Sequence, residues 1–133
     1  MHTHLEFMSD QFERVPGEDE ETNPDIFGLR LAEFVTKHLM ANGYEADHIA
    51  EDWGRCVIIG NAPFSSFVGC SSYGDDQWLI QIAPSKPTLR KWFKKIDTTE
   101  WVGRLSATIE TALIQDGGAT KLRWWTDAES GRK

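Results

Sequence analysis

Residues 44–83 read YEADHIAEDWGRCVIIGNAPFSSFVGCSSYGDDQWLIQIA and contain four runs with the composition of β-strands. The runs are 44–49, 55–60, 64–71 and 77–83, and their separators are short and turn-like. Short connections favour antiparallel neighbours, because a parallel pair needs a crossover of about a dozen residues or more. The stretch therefore predicts an antiparallel meander.

Helical periodicity precedes the meander. Residues 24–42 carry an apolar stripe at helical spacing, with Thr22 or Asn23 as the predicted cap and Asn42-Gly43 as the stop signal. We therefore expect a first helix over 24–42.

Two further helices are predicted after the meander. In 88–96, TLRKWFKKI, four apolar residues recur at helical spacing, which predicts a short helix that turns them toward the core. They are Leu89, Trp92, Phe93 and Ile96. A longer helix begins after Thr98 or Thr99 and ends before Gly117-Gly118.

Strand patterns at 3–8 and 119–125 complete the order β-α-β-β-β-β-(short α)-α-β. Helices at both ends of an uninterrupted meander predict a two-layer α+β fold, with both main helices on one sheet face and the other face partly open. Residues 1–133 are expected to form a single α+β domain, with an acidic loop at 10–23 and a flexible tail at 126–133.

Composition and charge narrow the functional classes. The formal net charge of −7 argues against general affinity for nucleic acid, since phosphate binding needs a basic face. No apolar run approaches a membrane span and no signal peptide is evident, so we expect no membrane partner. Two cysteines in strand-like segments predict a reduced, cytoplasmic chain, with a disulfide between Cys56 and Cys70 as the less favoured alternative.

Two segments concentrate charge of opposite sign. The acidic loop holds Glu18, Asp19, Glu20 and Glu21, which fit a solvated loop or a docking surface for a basic partner. The basic patch comprises Lys86, Arg90, Lys91, Lys94 and Lys95. It fits a solvated helix face or a site for a phosphate or an anionic partner.

Residues 51–60, EDWGRCVIIG, pose the question of a reactive thiol. Alternation places Cys56 on the same side as Ile58, which predicts a small buried residue of the core. Nearby carboxylates would also raise the pKa of this thiol, the wrong direction for a nucleophile. Glu51, Asp52 and Arg55 are the residues here expected to face solvent or a partner.

No catalytic, metal or cofactor motif is recognisable. His2 and His4 share one side of a strand, but no spacing supplies a third ligand. We therefore predict no cofactor and no metal, and the question of catalysis stays open, with binding favoured over an enzyme.

Four segments recur in order in a group of short uncharacterised bacterial proteins that this chain resembles. They are PGEDEETNP (16–24), EDWG (51–54), PFSSFVGC (63–70) and IDTTE (96–100). In those proteins EDWG is usually followed by another tryptophan, whereas this chain has Arg55. The resemblance implies a bacterial cytoplasmic single-domain protein and supplies no activity.

The leading functional hypothesis is a non-enzymatic domain that binds a protein partner, such as an immunity or antitoxin-type inhibitor or an adaptor. Its surface would combine the acidic residues with tryptophans that a two-layer fold leaves half covered: Trp53, Trp78, Trp124 and Trp125. The alternative is a small-ligand binder or enzyme with a pocket between sheet and helices, walled by Trp78, Trp101 and Cys70. A homodimer through the open sheet face is a third hypothesis.

Overall fold

A computed structural model describes residues 1–72 and 74–130. The strands are β1 His2–Met8, β2 Ala46–Glu51, β3 Gly54–Ile59, β4 Phe67–Ser72, β5 Gln77–Ala83, β6 Thr88–Lys91, β7 Lys94–Asp97 and β8 Thr120–Thr126. The α-helices are α1 Leu29–Ala41, α2 Thr99–Gln115 and α3 Asp127–Ser130, and a single 3-10 turn spans Glu18–Glu20 in the acidic loop. Part of the predicted flexible tail is therefore helical, and residues 131–133 lie outside the described residues.

Six strands form one antiparallel sheet in the order β2-β3-β4-β5-β1-β8. Its first four strands are the predicted meander, and the terminal strands β1 and β8 extend it on the far side. Because β2 and β8 stand at the ends of this order, they are the edge strands. The α+β prediction is confirmed.

Both long helices pack on one face of the sheet, here called the inner face. Alternate residues of the central strands point toward them because side chains alternate across a strand. The buried inner-face residues include Leu5, Phe7, Val57, Val68, Cys70, Trp78, Ile80 and Ile82. They form one core with Leu31, Val35 and Leu39 of α1 and Val102, Leu105, Ile109 and Leu113 of α2.

The first helix starts at Leu29, so the prediction of a start at residue 24 is wrong. Asp25 has a φ of +65°, which no helix residue can adopt. Thr22 does not cap a helix at residue 24, because its hydroxyl donates to the Ile26 carbonyl at 2.7 Å. The Glu18 carboxylate accepts the backbone N–H groups of Gly28 and Leu29 instead.

The predicted short helix at 88–96 is wrong. These residues form a β-hairpin, β6 and β7, in which Leu89 pairs with Ile96 and Lys91 pairs with Lys94. Trp92 and Phe93 make the turn instead of facing the core. In the hairpin, Leu89 and Ile96 are cross-strand partners, and Trp92 and Phe93 are the two turn residues between the strands. These four positions are three or four residues apart, which is also the spacing of residues on one face of a helix.

The second long helix begins at Thr99, as predicted, with Thr98 at the cap position. The Asp97 carboxylate, and not a threonine hydroxyl, accepts the Thr99 backbone N–H at 2.8 Å. In the described part of the chain, no helix is long and apolar enough to cross a membrane.

Candidate functional site

The sheet face turned away from the helices, the outer face, carries a cross-strand row near the β2 edge. Ile49 of β2 lies opposite Cys56 of β3, and Cys56 lies opposite Gly69 of β4. Ile49 is 44% exposed, whereas Cys56 is 7% exposed. Cys56 lies on the side of Ile58 and is buried, as predicted, but this side is the outer face, so Cys56 is not part of the core cluster between the sheet and the helices.

Trp53, in the turn between β2 and β3, lies over this row. A Cβ built on Gly69 would meet the Trp53 Cζ3 atom at 2.7 Å, so the absence of a side chain at Gly69 lets the indole rest on the strand. Ile58, two residues beyond Cys56 on the same face, is 45% exposed. Ile49, Trp53 and Ile58 therefore form one apolar surface, here called the outer patch.

Acidic side chains border the outer patch. Asp47 is the cross-strand partner of Ile58, and Glu51 and Asp52 adjoin Trp53 in the β2–β3 turn. A surface groove of about 350 Å³ opens at the other end of the patch, lined by Glu45, Asp47, Ile49 and Ile58 among others. Of the predicted partner-binding residues, the structure brings Glu51, Asp52 and Trp53 together here.

Arg55 is buried at 8% exposure, so the prediction that it faces solvent is wrong. It pairs with Cys70, which is an inner-face residue, and its guanidinium lies 3.2 Å from the Glu21 carboxylate. A buried cation requires such a partner because desolvating an unpaired charge is costly. Glu21 and Arg55 therefore tie the acidic loop to the sheet.

Glu18 is also buried, at 6% exposure, and its side chain is not available to a partner. Its carboxylate accepts the backbone N–H groups of Val15, Gly28 and Leu29. The last two donors belong to the start of α1, where a negative charge is favourable. Glu18 is thus the cap of α1, supplied from the loop.

The remaining acidic-loop residues differ in environment. The Asp19 carboxylate accepts the Asp25 backbone N–H at 3.1 Å, and Glu20 is exposed. The loop is therefore in part a structural element that closes the start of α1. Its exposed charge is smaller than the sequence indicates.

The two thiols are free and lie on opposite faces of the sheet, so the alternative of a disulfide is wrong. Burial and, secondarily, the Glu51 carboxylate raise the pKa of Cys56. Burial and the Cys56 thiol raise the pKa of Cys70. Both groups are therefore weak nucleophiles in the folded protein.

The other predicted tryptophans do not join the outer patch. Trp78 is 1% exposed in the core, and its Nε1 donates to the Ser9 carbonyl. Trp124 faces inward opposite Leu5. Trp125 lies on the outer face of β8 with the Arg123 guanidinium 3.6 Å from its ring centre, three strands away from Gly69.

A second surface groove, of about 380 Å³, lies between α2 and the strands β1 and β8. Gly103, Ser106 and Glu110 of α2 line one side and Trp124 lines the other, with its Nε1 donating to Glu110 at 3.3 Å. Trp78 and Cys70, the predicted walls of a ligand pocket, lie in the packed core instead.

The exposed turn of the β6–β7 hairpin was not predicted from the sequence. Trp92 is 88% and Phe93 is 100% exposed, between the cations of the predicted basic patch, which are all exposed. Ile49 and Ile58 were also missed, because alternation alone does not say which side of an entirely apolar run faces the core.

His2 and His4 lie in different environments. His2 is exposed, whereas His4 is 8% exposed and its Nε2 lies 3.8 Å from the Asp127 carboxylate. Burial lowers the pKa of His4, and Asp127 opposes that shift. Across residues 1–72 and 74–130, no cluster of three or more His, Cys, Asp or Glu side chains is placed to hold a metal ion.

No protein-family model, curated protein or solved structure matches the chain. The resemblance to short bacterial proteins therefore stays a prediction.

Proposed function

We propose that the chain is a non-enzymatic protein-binding domain whose recognition surface is the outer patch. The observation that carries the proposal is the clustering of three large exposed apolar side chains, Ile49, Trp53 and Ile58, on the sheet face opposite the two long helices. Contiguous apolar surface with a polar border is typical of protein interfaces.

The acidic border defines the kind of partner. Asp47, Glu51 and Asp52 adjoin the patch, and the whole chain carries a net charge of −7. Such a surface favours a basic protein, because opposite charge accelerates encounter while the apolar centre provides the lasting contact. An inhibitor of a basic toxin, or an adaptor for a basic protein, fits this description.

Position on the edge strand adds a second element of recognition. β2 is an edge strand of the sheet that the described residues form, and the Asp47 carboxylate accepts the His48 backbone N–H at 2.8 Å. This bond satisfies one outward donor and so discourages unselective strand pairing. A partner is therefore expected to contact the side chains of the patch rather than extend the sheet.

Site-specific photo-crosslinking tests the proposal. A photoreactive residue is placed at position 58 and, as the matched control, at position 114, since Ile114 is equally apolar and 55% exposed on α2. We expect a basic protein to be captured at position 58 and not at position 114. Its purified complex should weaken with Ile58→Asp; equal capture at both positions would contradict the proposal.

Electrostatic steering is tested in the same complex. The double variant Glu51→Gln/Asp52→Asn removes two charges beside Trp53, so we expect a lower association rate and a weaker salt dependence. Dissociation should change little. An unchanged association rate would remove the acidic border from the proposal.

A small-ligand binder is the second candidate, and the groove beside Trp124 supports it. The groove's volume of about 380 Å³ lies within the range of ligand sites. A Cβ at Gly103 would meet nothing within 4 Å, so Gly103→Leu should fill the groove without disturbing the core. Compounds that stabilise the native protein but not Gly103→Leu would favour this candidate over the first.

A further inference from the structure

The turn of the β6–β7 hairpin exposes two aromatic rings almost completely. Trp92 is 88% and Phe93 is 100% exposed, and we call this pair the hairpin tip. Trp92 also has a φ of +60°, a conformation that two-residue hairpin turns normally assign to glycine, asparagine or aspartate. Trp92 therefore combines a strained backbone conformation with an exposed apolar side chain. Neither feature stabilises the fold.

Four cations surround the tip, here called the collar: Arg90, Lys91, Lys94 and Lys95. Register places Lys91 directly opposite Lys94 and Arg90 directly opposite Lys95. Like charges in direct cross-strand pairs repel. Asp97, the acidic residue of the hairpin, accepts from the Thr99 backbone N–H and hydroxyl, and Asp75, Glu33 and Glu21 pair with Arg14, Arg30 and Arg55, away from the collar.

The two cross-strand pairs point to opposite sides of the hairpin, because successive residues alternate across a strand. The collar therefore presents positive charge all round, directly behind the aromatic rings. At about 3.3 Å per residue, the cations stand roughly 3 to 7 Å behind the turn. Aromatic groups that enter a lipid interface reach about 5–10 Å, with cations at the level of the headgroups.

The hairpin leaves the sheet at the end formed by His2, Phe67 and Ala83. The β2–β3 turn with Glu51 and Asp52 stands at the opposite end of the strands. The separation of about 17 Å along a strand exceeds the Debye length of about 8 Å at physiological salt. Asp47 is level with Phe67 and Ala83 at the end where the hairpin leaves, but β2 lies three strands from β5, about 14 Å across the sheet. The acidic border is therefore separated from the collar by more than a Debye length, and Asp97 is the one acidic residue of the hairpin itself.

We propose that the hairpin tip inserts into the interface of an anionic lipid bilayer while the collar binds the headgroup phosphates. The proposal is independent of the outer patch and would place the domain on a membrane surface. The expectation of no membrane partner rested on the lack of an apolar spanning run and of a signal peptide, and peripheral attachment needs neither.

A bilayer fits better than nucleic acid. Nucleic-acid binders of this kind stack bases along a basic groove, whereas here two rings project from the end of a hairpin with charge behind them. Apolar groups at the front and cations behind match the layering of a membrane interface.

Vesicle co-sedimentation of the full chain at physiological salt tests the proposal. The probes are vesicles of phosphatidylcholine alone and vesicles with about 30% phosphatidylserine. We expect binding to the anionic vesicles only. Trp92→Ser/Phe93→Ser should weaken binding about tenfold or more, and Lys91→Gln/Lys94→Gln about thirtyfold.

Two control variants distinguish binding through the hairpin from unspecific adsorption of the protein to vesicles. Ile114→Ser removes an exposed apolar side chain from α2, and Lys37→Gln removes an exposed cation from α1. Both should bind the anionic vesicles like the native chain. Bromolipid quenching gives a second reading: fluorescence loss should occur in the native protein and be smaller in Trp92→Phe, which keeps an apolar ring.

Three results would overturn the proposal: no binding to anionic vesicles, binding that survives Trp92→Ser/Phe93→Ser, or tip-dependent binding to a single-stranded oligonucleotide without vesicle binding. Because every substituted residue is exposed, the variants should fold, and circular dichroism confirms this before binding is measured.

Discussion

The indole of Trp53 occupies the space that a side chain at Gly69 would take: a Cβ there would lie 2.7 Å from Cζ3. The turn between β2 and β3 thereby packs against β4. Trp53 can join the outer patch only because residue 69 has no side chain. Gly69 is therefore a positioning residue for Trp53.

Gly69→Ala should displace the Trp53 ring and destabilise the fold by about 1–2 kcal/mol, since overpacking at a closed site has costs of this order. In a Trp53→Ala background the same change should be neutral or stabilising, because the next contact, the Gln81 Cβ at 3.6 Å, is ordinary. Urea denaturation of the four proteins in a double-mutant cycle measures the coupling. Equal costs in both backgrounds would show that the ring does not rest on Gly69.

Glu18→Ala should destabilise the protein by about 2–3 kcal/mol, because three backbone donors lose a charged acceptor. Glu20→Ala is the matched control: the same residue type, two positions along and exposed, should change stability by less than about 0.5 kcal/mol. Chemical denaturation compares them. Similar effects at both positions would contradict the capping role.

Removing Glu21 should expose the dependence of Arg55 on its partner. Glu21→Ala is expected to cost about 1 kcal/mol, less than a fully buried pair, because the Glu21 side chain is 65% exposed. Arg55→Met should reduce that cost toward zero, since no buried cation then remains. If Glu21→Ala costs the same in both backgrounds, the contact contributes nothing.

The burial of His4 leads us to expect that the stability of the protein depends on pH. The folded pKa of His4 lies below the ordinary value near 6.5 because of burial, so the unfolded chain binds more protons as the pH falls. Stability should therefore decline as the pH drops through about 6.5. His4→Gln should flatten that decline, and Asp127→Asn should steepen it by removing the opposing charge. Thermal unfolding between pH 5 and 8 is the measurement, and a His4→Gln profile parallel to the native one would refute the assignment.

The sequence predicted the meander, the presence of both long helices and the terminal strands because each has a clear apolar pattern. It placed the start of α1 at residue 24 instead of Leu29, because Pro24 and Asp25 are also typical of a helix start. It failed at 88–96, where Leu89, Trp92, Phe93 and Ile96 satisfy helical spacing and hairpin pairing equally. The hairpin requires a positive φ at Trp92, and residues with bulky side chains rarely adopt that conformation. The sequence therefore favoured the helix.

The candidate site was predicted only in part. Glu51, Asp52 and Trp53 do lie together beside a strand, as expected from their order in the chain. Glu18 and Arg55 were misplaced because their partners, the start of α1 and Glu21, are set by tertiary contacts. Only the register of β2, β3 and β4 shows that Ile49 and Ile58 complete the patch.

The central claim, that the outer patch binds a basic protein, is tested most directly by the dissociation constant of the complex with the protein captured at position 58. Ile58→Asp should weaken it by about thirtyfold or more, as expected for the centre of an interface, and Ile114→Asp should leave it unchanged. Equal dissociation constants for the native chain and Ile58→Asp would contradict the claim.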